Sequence, residues 1–92
     1  MKLLDTYILQ YVKYQTNEIC LEAVRKFGLA LQYVKHQTDQ ICIEAVKEYG
    51  TALQFVKLKT DQICLEAVKQ DEAALEYVKS NHLAYIRNFL KE

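Results

Sequence analysis

The chain contains no proline and only two glycines, Gly28 and Gly50, among its 92 residues. Long disordered linkers usually need more of both residue types, so their scarcity predicts ordered helices joined by short turns. The sequence also lacks a long apolar run, since its longest runs span only a few residues. A transmembrane helix requires about 20 consecutive apolar residues, and we therefore expect none here.

The chain also lacks an excess of charge of either sign. Twelve basic residues balance twelve acidic ones, and the formal net charge is zero. Nucleic-acid binding normally needs a basic patch that displaces counterions from phosphates, so we expect no nucleic-acid partner. At the start of the chain, Asp5 directly follows Leu3-Leu4 and interrupts the apolar segment that a secretory signal requires. We therefore expect a cytoplasmic location and no membrane association.

The dominant feature that the sequence does contain is an internal repeat of 22 residues. The order Thr-(Asn/Asp)-(Glu/Gln)-Ile-Cys-(Leu/Ile)-Glu-Ala-Val-(Arg/Lys) starts at Thr16, Thr38 and Thr60. A shorter motif, Leu-(Gln/Glu)-(Tyr/Phe)-Val-Lys, starts at Leu9, Leu31, Leu53 and Leu75. We predict one domain over residues 1–92, which has an N-terminal cap, three repeats and a C-terminal cap helix. Their boundaries are 1–15, 16–37, 38–59, 60–81 and 82–92.

The sequence pattern of each unit predicts two short helices, which we call A and B. Helix A begins after the Thr, whose hydroxyl accepts a hydrogen bond from a backbone N–H of the first turn. It ends at Gly28 or Gly50, where a left-handed glycine is expected to close the helix. Helix B then runs to the next Thr. The predicted apolar faces comprise Ile19, Cys20, Ala23, Val24 and Phe27 on helix A, and Ala30, Leu31, Tyr33 and Val34 on helix B.

Helices this short are marginal alone, so the stacking of units must stabilise them. The sequence therefore predicts an all-α fold, an α-solenoid of helix–turn–helix repeats with about eight short helices. At the N-terminus we expect a helix over residues 2–14. At the C-terminus, Arg87 and Asn88 are expected to make a polar outer edge. Within the third repeat, either Asp71 caps the next helix or the two helices run together.

The unit Thr-Asp-Gln-Ile-Cys-Leu-Glu-Ala-Val-Lys, followed by Gly-x-Ala-Leu-Gln-Tyr-Val-Lys, resembles the short tandem helical repeats of Mimivirus-type giant viruses. A related pattern occurs in a repeat family of unknown function that is also found in some bacterial effector proteins. The resemblance covers residues 9–79. It implies an all-helical array in a viral or host-interaction setting, located in the host cytoplasm or the virion. It implies no reaction.

The residue types that could act as nucleophiles, bases or metal ligands are better explained by structural roles. Equivalent helices in a stack lie about 8–10 Å apart, whereas a disulfide needs Cα atoms within about 7 Å. No Cys-x-x-Cys or Cys/His cluster suggests a zinc site, so we predict that Cys20, Cys42 and Cys64 are buried thiols, with no metal or cofactor. His36 and His82 are expected at the surface or at caps, because no nucleophile accompanies them at a suitable spacing.

Three glutamates recur at one repeat position, Glu22, Glu44 and Glu66. They could mimic the paired carboxylates of a hydrolase, but a basic residue follows each of them three positions later. We therefore interpret this row as a solvated ion-pair face. With no nucleophile, base and electrophile together, we expect that the protein is not an enzyme.

Repeat positions whose residue type differs from unit to unit are the candidates for binding residues, because packing between units does not dictate them. The Tyr11, Tyr33, Phe55 and Tyr77 column is nearly constant, which favours packing between units. The row Tyr14, His36, Leu58 and Ser80 varies, as does the neighbouring row Gln15, Gln37, Lys59 and Asn81. We take both rows to line an exposed edge whose residues packing does not dictate, and we predict that Tyr14, His36 and Leu58 bind a protein.

The predicted function is a non-enzymatic protein–protein interaction module, a monomer or weak oligomer whose partner the sequence does not identify. The main alternative is a structural or self-assembling component of a virion or scaffold, and an enzyme is the third. Oligomeric state separates the first two, because a scaffold component would form concentration-dependent polymers.

Overall fold

The computed structural model describes residues 8–91, and its α-helices begin where the threonines predict. Helices α1 (Asn17–Lys26), α2 (Asp39–Glu48) and α3 (Asp61–Gln70) each follow a Thr in extended conformation. The Thr hydroxyl accepts a hydrogen bond from the backbone N–H three residues later, at 3.1, 3.2 and 3.1 Å. These three helices are the predicted A helices, and the Thr caps are confirmed.

The second half of each unit is a 3₁₀ helix of six residues, shorter and tighter than the predicted helix B. These helices are η2 (Gly28–Tyr33), η3 (Gly50–Phe55) and η4 (Glu72–Tyr77). An extended residue bounds each of the three on both sides, and their six residues exceed the length of about three to four residues that is usual for 3₁₀ helices. A four-residue 3₁₀ helix, η1 (Ile8–Tyr11), precedes α1, and α4 (Ser80–Leu90) follows η4.

The predicted role of the two glycines is wrong. No glycine in the described part of the chain has a positive φ. Helix α1 closes instead on Phe27, whose backbone is extended at φ −154° while its N–H still bonds to the Ala23 carbonyl at 2.9 Å. Gly28 is needed for another reason: a Cβ there would lie 2.5 Å from the carbonyl oxygen of Ala45 in the next unit. Its small size lets the backbones of adjacent units approach closely.

The units stack in chain order. Helix α2 packs on both α1 and η2, α3 packs on both α2 and η3, and successive 3₁₀ helices pack on each other. The stack is elongated, measuring 45 × 21 × 18 Å. The finer prediction of an α-solenoid stays a prediction. The all-α class is confirmed, since residues 8–91 form the eight helices given above and no strand.

The core runs along the stack between the α-helices and the 3₁₀ helices. Its largest fully buried side chains are Leu9, Leu31, Ile41, Leu53, Ile63, Ile86, Val24, Val46 and Cys64. The predicted apolar faces are largely confirmed, with one correction. Phe27 is 46% exposed, because it is the extended residue that separates α1 from η2 and is not part of the helix.

The N-terminal helix predicted over residues 2–14 is also corrected where the structure describes it. Only Ile8–Tyr11 is helical there, and the chain is non-helical from Val12 to Thr16, while residues 2–7 lie outside the described part. At the other junction, the Asp71 carboxylate accepts a hydrogen bond from the N–H of Ala73 at 3.0 Å. Asp71 thus caps η4, and α3 and η4 are separate helices.

The C-terminal end departs from the repeat. Helix α4 packs on α3 but makes at most slight contact with η4, unlike the α-helices of the internal units. Glu72 occupies the repeat position of Gly28 and Gly50, where an added Cβ would lie 2.5 Å from a carbonyl oxygen of the next α-helix. Leu75 is 40% exposed, whereas its equivalents Leu31 and Leu53 are fully buried.

The polar outer edge predicted for α4 is only partly present. Arg87 and Asn88 are exposed, as predicted. However, Phe89 and Leu90 beside them are about half exposed, at 49% and 51%. The end of the stack is therefore mixed, polar in part and apolar in part. None of the helices between residues 8 and 91 has the length and hydrophobicity that a bilayer span requires.

Candidate protein-binding surfaces

The three predicted binding residues lie in the loops that join each 3₁₀ helix to the next α-helix. Tyr14 and Leu58 expose 79% and 77% of their surface, and His36 is also exposed. An exposed lysine precedes each of them. Because the units stack in register, these loops follow one another along one side of the molecule. We call this surface the loop edge, defined by Lys13, Tyr14, Lys35, His36, Lys57 and Leu58.

Two of the predicted residues share a groove on the loop edge. His36 and Leu58 line a groove of about 200 Å³ between successive loops, and Cys42 and Asp39 also line it. Tyr14 is not part of that groove. The Nζ atom of the lysine before it lies 5.7 Å from the centre of the Tyr14 ring, within cation–π range. The structure thus brings His36 and Leu58 together and leaves Tyr14 one unit away.

The neighbouring row was predicted to be free of packing constraints, and this is wrong for its glutamines. The Gln37 side chain donates a hydrogen bond to the Phe55 carbonyl at 2.8 Å and accepts one from the Lys57 N–H at 2.9 Å. Gln15 makes the equivalent bonds to Tyr33 and Lys35, at 2.8 and 2.9 Å. We call these interactions the glutamine clamps.

The glutamine clamps fix the backbone at the ends of η2 and η3 to the preceding unit. They thereby also position Lys35 and Lys57 of the loop edge, whose N–H groups they bind. Lys59 occupies the next occurrence of this position, and its Nζ binds the Val56 carbonyl at 3.2 Å instead. The sequence signal was the same amide at Gln15 and Gln37, which we interpreted as variation because the next residue of the row is a lysine.

The cysteines are free and buried, which confirms the prediction that they are core thiols. The Cys20 and Cys42 sulfurs lie 3.5 Å from the Oε1 atoms of Gln15 and Gln37. Burial, with a smaller contribution from the Asp39 carboxylate, raises the pKa of the Cys42 thiol from 9.0 to about 11. Burial also raises the pKa of Cys20. These thiols are therefore protonated near neutral pH and poor nucleophiles.

The histidines differ in environment. His36 is exposed, as predicted. The His82 side chain is only 14% exposed, and its Nδ1 lies 2.6 Å from Oδ1 of Asp61. This contact ties the first turn of α4 to the first turn of α3. Sequence reasoning missed it because the two residues are 21 positions apart and neither motif implies the other.

The prediction for the glutamate row is confirmed in part: Glu22 and Glu44 form ion pairs, although not with the basic residue three positions later, and Glu66 accepts a hydrogen bond from the Gln62 side chain at 2.9 Å. Glu22 lies 3.9 Å from Lys26 in the same helix, and Arg25 of α1 lies 3.5 Å from Glu44 of α2. The second pair links adjacent units. Within residues 8–91, no three side chains of the metal-binding types come together.

A second groove lies at the C-terminal end of the stack. It has a volume of about 490 Å³ and is lined by Leu75 of η4, by Leu83, Ile86 and Leu90 of α4, and by Arg87 and Lys91. We call it the end groove. It was not predicted, although the glutamate at the glycine position of the last unit was a sequence signal for it.

The comparisons with known proteins agree with the internal repeat. The model of the domain of unknown function DUF4116 matches residues 16–59 and again residues 38–84. No curated protein and no solved structure matches the chain. The family description names no activity, partner or host, so the viral setting implied by the resemblance stays a prediction. Because the two matches together cover more than half of the sequence, the chain belongs to the DUF4116 family.

Proposed function

We propose that the protein is a non-enzymatic protein–protein interaction module that binds its partner through the loop edge. The observation that carries this proposal is the exposure of Tyr14 and Leu58, at 79% and 77%. They occupy a position that differs from unit to unit, directly after a lysine that all units share. A constant cation beside a variable contact residue suits recognition along a stack of repeats.

The chemistry of the loop edge supports this assignment. Tyrosine offers a large contact area with a polar tip and is enriched at protein interfaces. The lysines favour association with an acidic partner segment. The glutamine clamps hold the backbone of Lys35 and Lys57 in place before binding, which lowers the entropic cost of ordering the surface.

The non-enzymatic part of the proposal is supported by the state of the candidate nucleophiles. Burial raises the pKa values of Cys20, Cys42 and Cys64, so thiolates are scarce near neutral pH. The less exposed histidine, His82, contacts a carboxylate at the junction of two helices. As part of the same proposal, we place the protein in the cytoplasm, which is the host cytoplasm if it is viral.

A selection from a combinatorial library of short peptides, displayed on phage, tests the proposal. The bait is the full chain or a triple variant in which Tyr14, His36 and Leu58 are changed to serine. The matched control changes Gln10, Gln32 and Gln54 to serine, since these are exposed residues at one repeat position outside the loop edge. Circular dichroism verifies that each variant is folded.

We expect the wild type and the control to select the same peptides, with acidic residues enriched. The loop-edge variant should bind those peptides at least about tenfold more weakly. If all three baits bind equally, or none selects a peptide, binding through the loop edge is wrong. Concentration-dependent polymers in sedimentation experiments would favour the self-assembling scaffold instead.

A further inference from the structure

We propose that the end groove is a second binding surface, which receives an acidic amphipathic helix of a partner protein. The proposal rests on residues of η4 and α4 and does not depend on the loop edge. Its starting point is Leu75, which is 40% exposed although its equivalents in the two preceding units are fully buried. In those units, both the next α-helix and the next 3₁₀ helix pack against the 3₁₀ helix that carries the leucine.

The groove lies where the last unit carries larger residues than the preceding units. Glu72 replaces a glycine whose absent Cβ lets the next α-helix approach. Phe89 occupies the repeat position of Ala45 and Ala67, which are fully buried and supply the carbonyls at the close contacts. Larger residues thus stand at both positions of the close backbone contact and, whereas α2 packs on η2, α4 makes at most slight contact with η4. A space of about 490 Å³ remains between them.

The walls of the groove are held in place before any ligand binds. Ile86 is 1% exposed and belongs to the hydrophobic core, so the middle of α4 is anchored to the stack. The contact between His82 and Asp61 anchors the first turn of α4 to α3. The groove therefore does not depend on a ligand for its shape.

The lining defines the chemistry of the occupant. Four aliphatic side chains form the walls, and they match the apolar face of a helix with anchor residues at the i, i+4 and i+7 positions. The charged residues that line the groove, Arg87 and Lys91, are both cationic. A helix that carries acidic residues beside its apolar face complements both features, whereas a basic helix is repelled.

Two synthetic peptides test the proposal with the full chain. Both have leucines at the i, i+4 and i+7 spacing, and their polar faces carry glutamate in one and lysine in the other. Fluorescence anisotropy measures binding to the wild type and to three variants: Leu90→Ser, the double charge reversal R87E/K91E, and Phe27→Ser as an exposed apolar control outside the end groove and the loop edge.

We expect the glutamate peptide to bind the wild type at least about tenfold more tightly than the lysine peptide. Leu90→Ser should weaken its binding about tenfold, since a leucine contact in the groove is lost. Phe27→Ser should leave it unchanged. R87E/K91E should reverse the preference, so that the lysine peptide binds more tightly. This reversal cannot result from unfolding, because an unfolded groove would bind neither peptide.

The proposal is overturned if Leu90→Ser binds like the wild type, or if charge reversal does not change the preference. It is also overturned if the wild type sediments as a dimer that Leu90→Ser dissociates, because a second copy would then occupy the groove. Binding of laurate without binding of the glutamate peptide would overturn it too, and would identify a small acidic amphiphile as the occupant.

Discussion

Replacing Gly28 with alanine sets two opposite effects against each other. None of the described residues has a positive φ, so the backbone at Gly28 accepts alanine. Alanine restricts the unfolded chain and on that account stabilises the protein by about 0.4–1 kcal/mol. The added Cβ, however, would lie 2.5 Å from the Ala45 carbonyl oxygen and 2.9 Å from Cβ of Tyr49. Neither atom is at the flexible end of a side chain.

The steric contact of the added Cβ should outweigh the entropic gain. Relieving it requires α2 to move away from η2, and such overpacking typically costs about 1–3 kcal/mol. After subtracting the entropic gain, we expect Gly28→Ala to lower the free energy of unfolding by about 1–2 kcal/mol. For a domain of this size, each kcal/mol lowers Tm by about 4–8 °C.

Position 72 provides an internal control. Glu72 occupies the same repeat position as Gly28, but the next α-helix, α4, does not pack closely on its 3₁₀ helix η4. There, alanine should be more stable than glycine by about 0.5–1 kcal/mol. Urea and thermal unfolding, followed by far-ultraviolet circular dichroism, measure Gly28→Ala, Glu72→Ala and Glu72→Gly. If Gly28→Ala is as stable as the wild type, the close approach of the units is not what requires glycine.

Three further predictions follow from the core and the clamps. Because the pKa of Cys42 is raised, its contribution to stability is present below pH 9 and is lost as the pH rises toward about 11. At neutral pH, Cys42 should react slowly with a thiol reagent while the protein is folded and rapidly in denaturant; rapid reaction in the folded state would contradict its burial. Gln37→Ala removes two hydrogen bonds to the next unit and should destabilise the protein by about 1–3 kcal/mol, as measured by urea titration. The control Gln54→Ala, which loses one exposed local bond, should cost less than half of that, and equal losses would contradict the clamp. Val46→Ala leaves a cavity at a fully buried site and should lower the free energy of unfolding by about 1–3 kcal/mol. This loss should be clearly larger than that of Val12→Ala, because Val12 is half-buried near the end of the stack.

The sequence alone determined the features that depend on local periodicity. The 22-residue repeat indicated the units, and the Thr positions indicated where the α-helices begin. The spacing of Cys42, Ala45 and Val46 placed them on one helix face, and all three are buried. These features were predictable because a helix fixes which neighbours along the chain share a face, whatever the rest of the fold does.

Other features were decided by contacts between units. A glycine after a helix has the same local preference whether it closes the helix or admits a neighbouring backbone, and only the stack shows that Gly28 does the second. The glutamine clamp of Gln37 likewise joins positions 18 and 20 residues apart. The end groove likewise appears only in the tertiary structure, which leaves Leu75 40% exposed although the equivalent leucines of the preceding units are fully buried. Such interactions depend on which backbones meet, and the local pattern of the sequence does not contain that information.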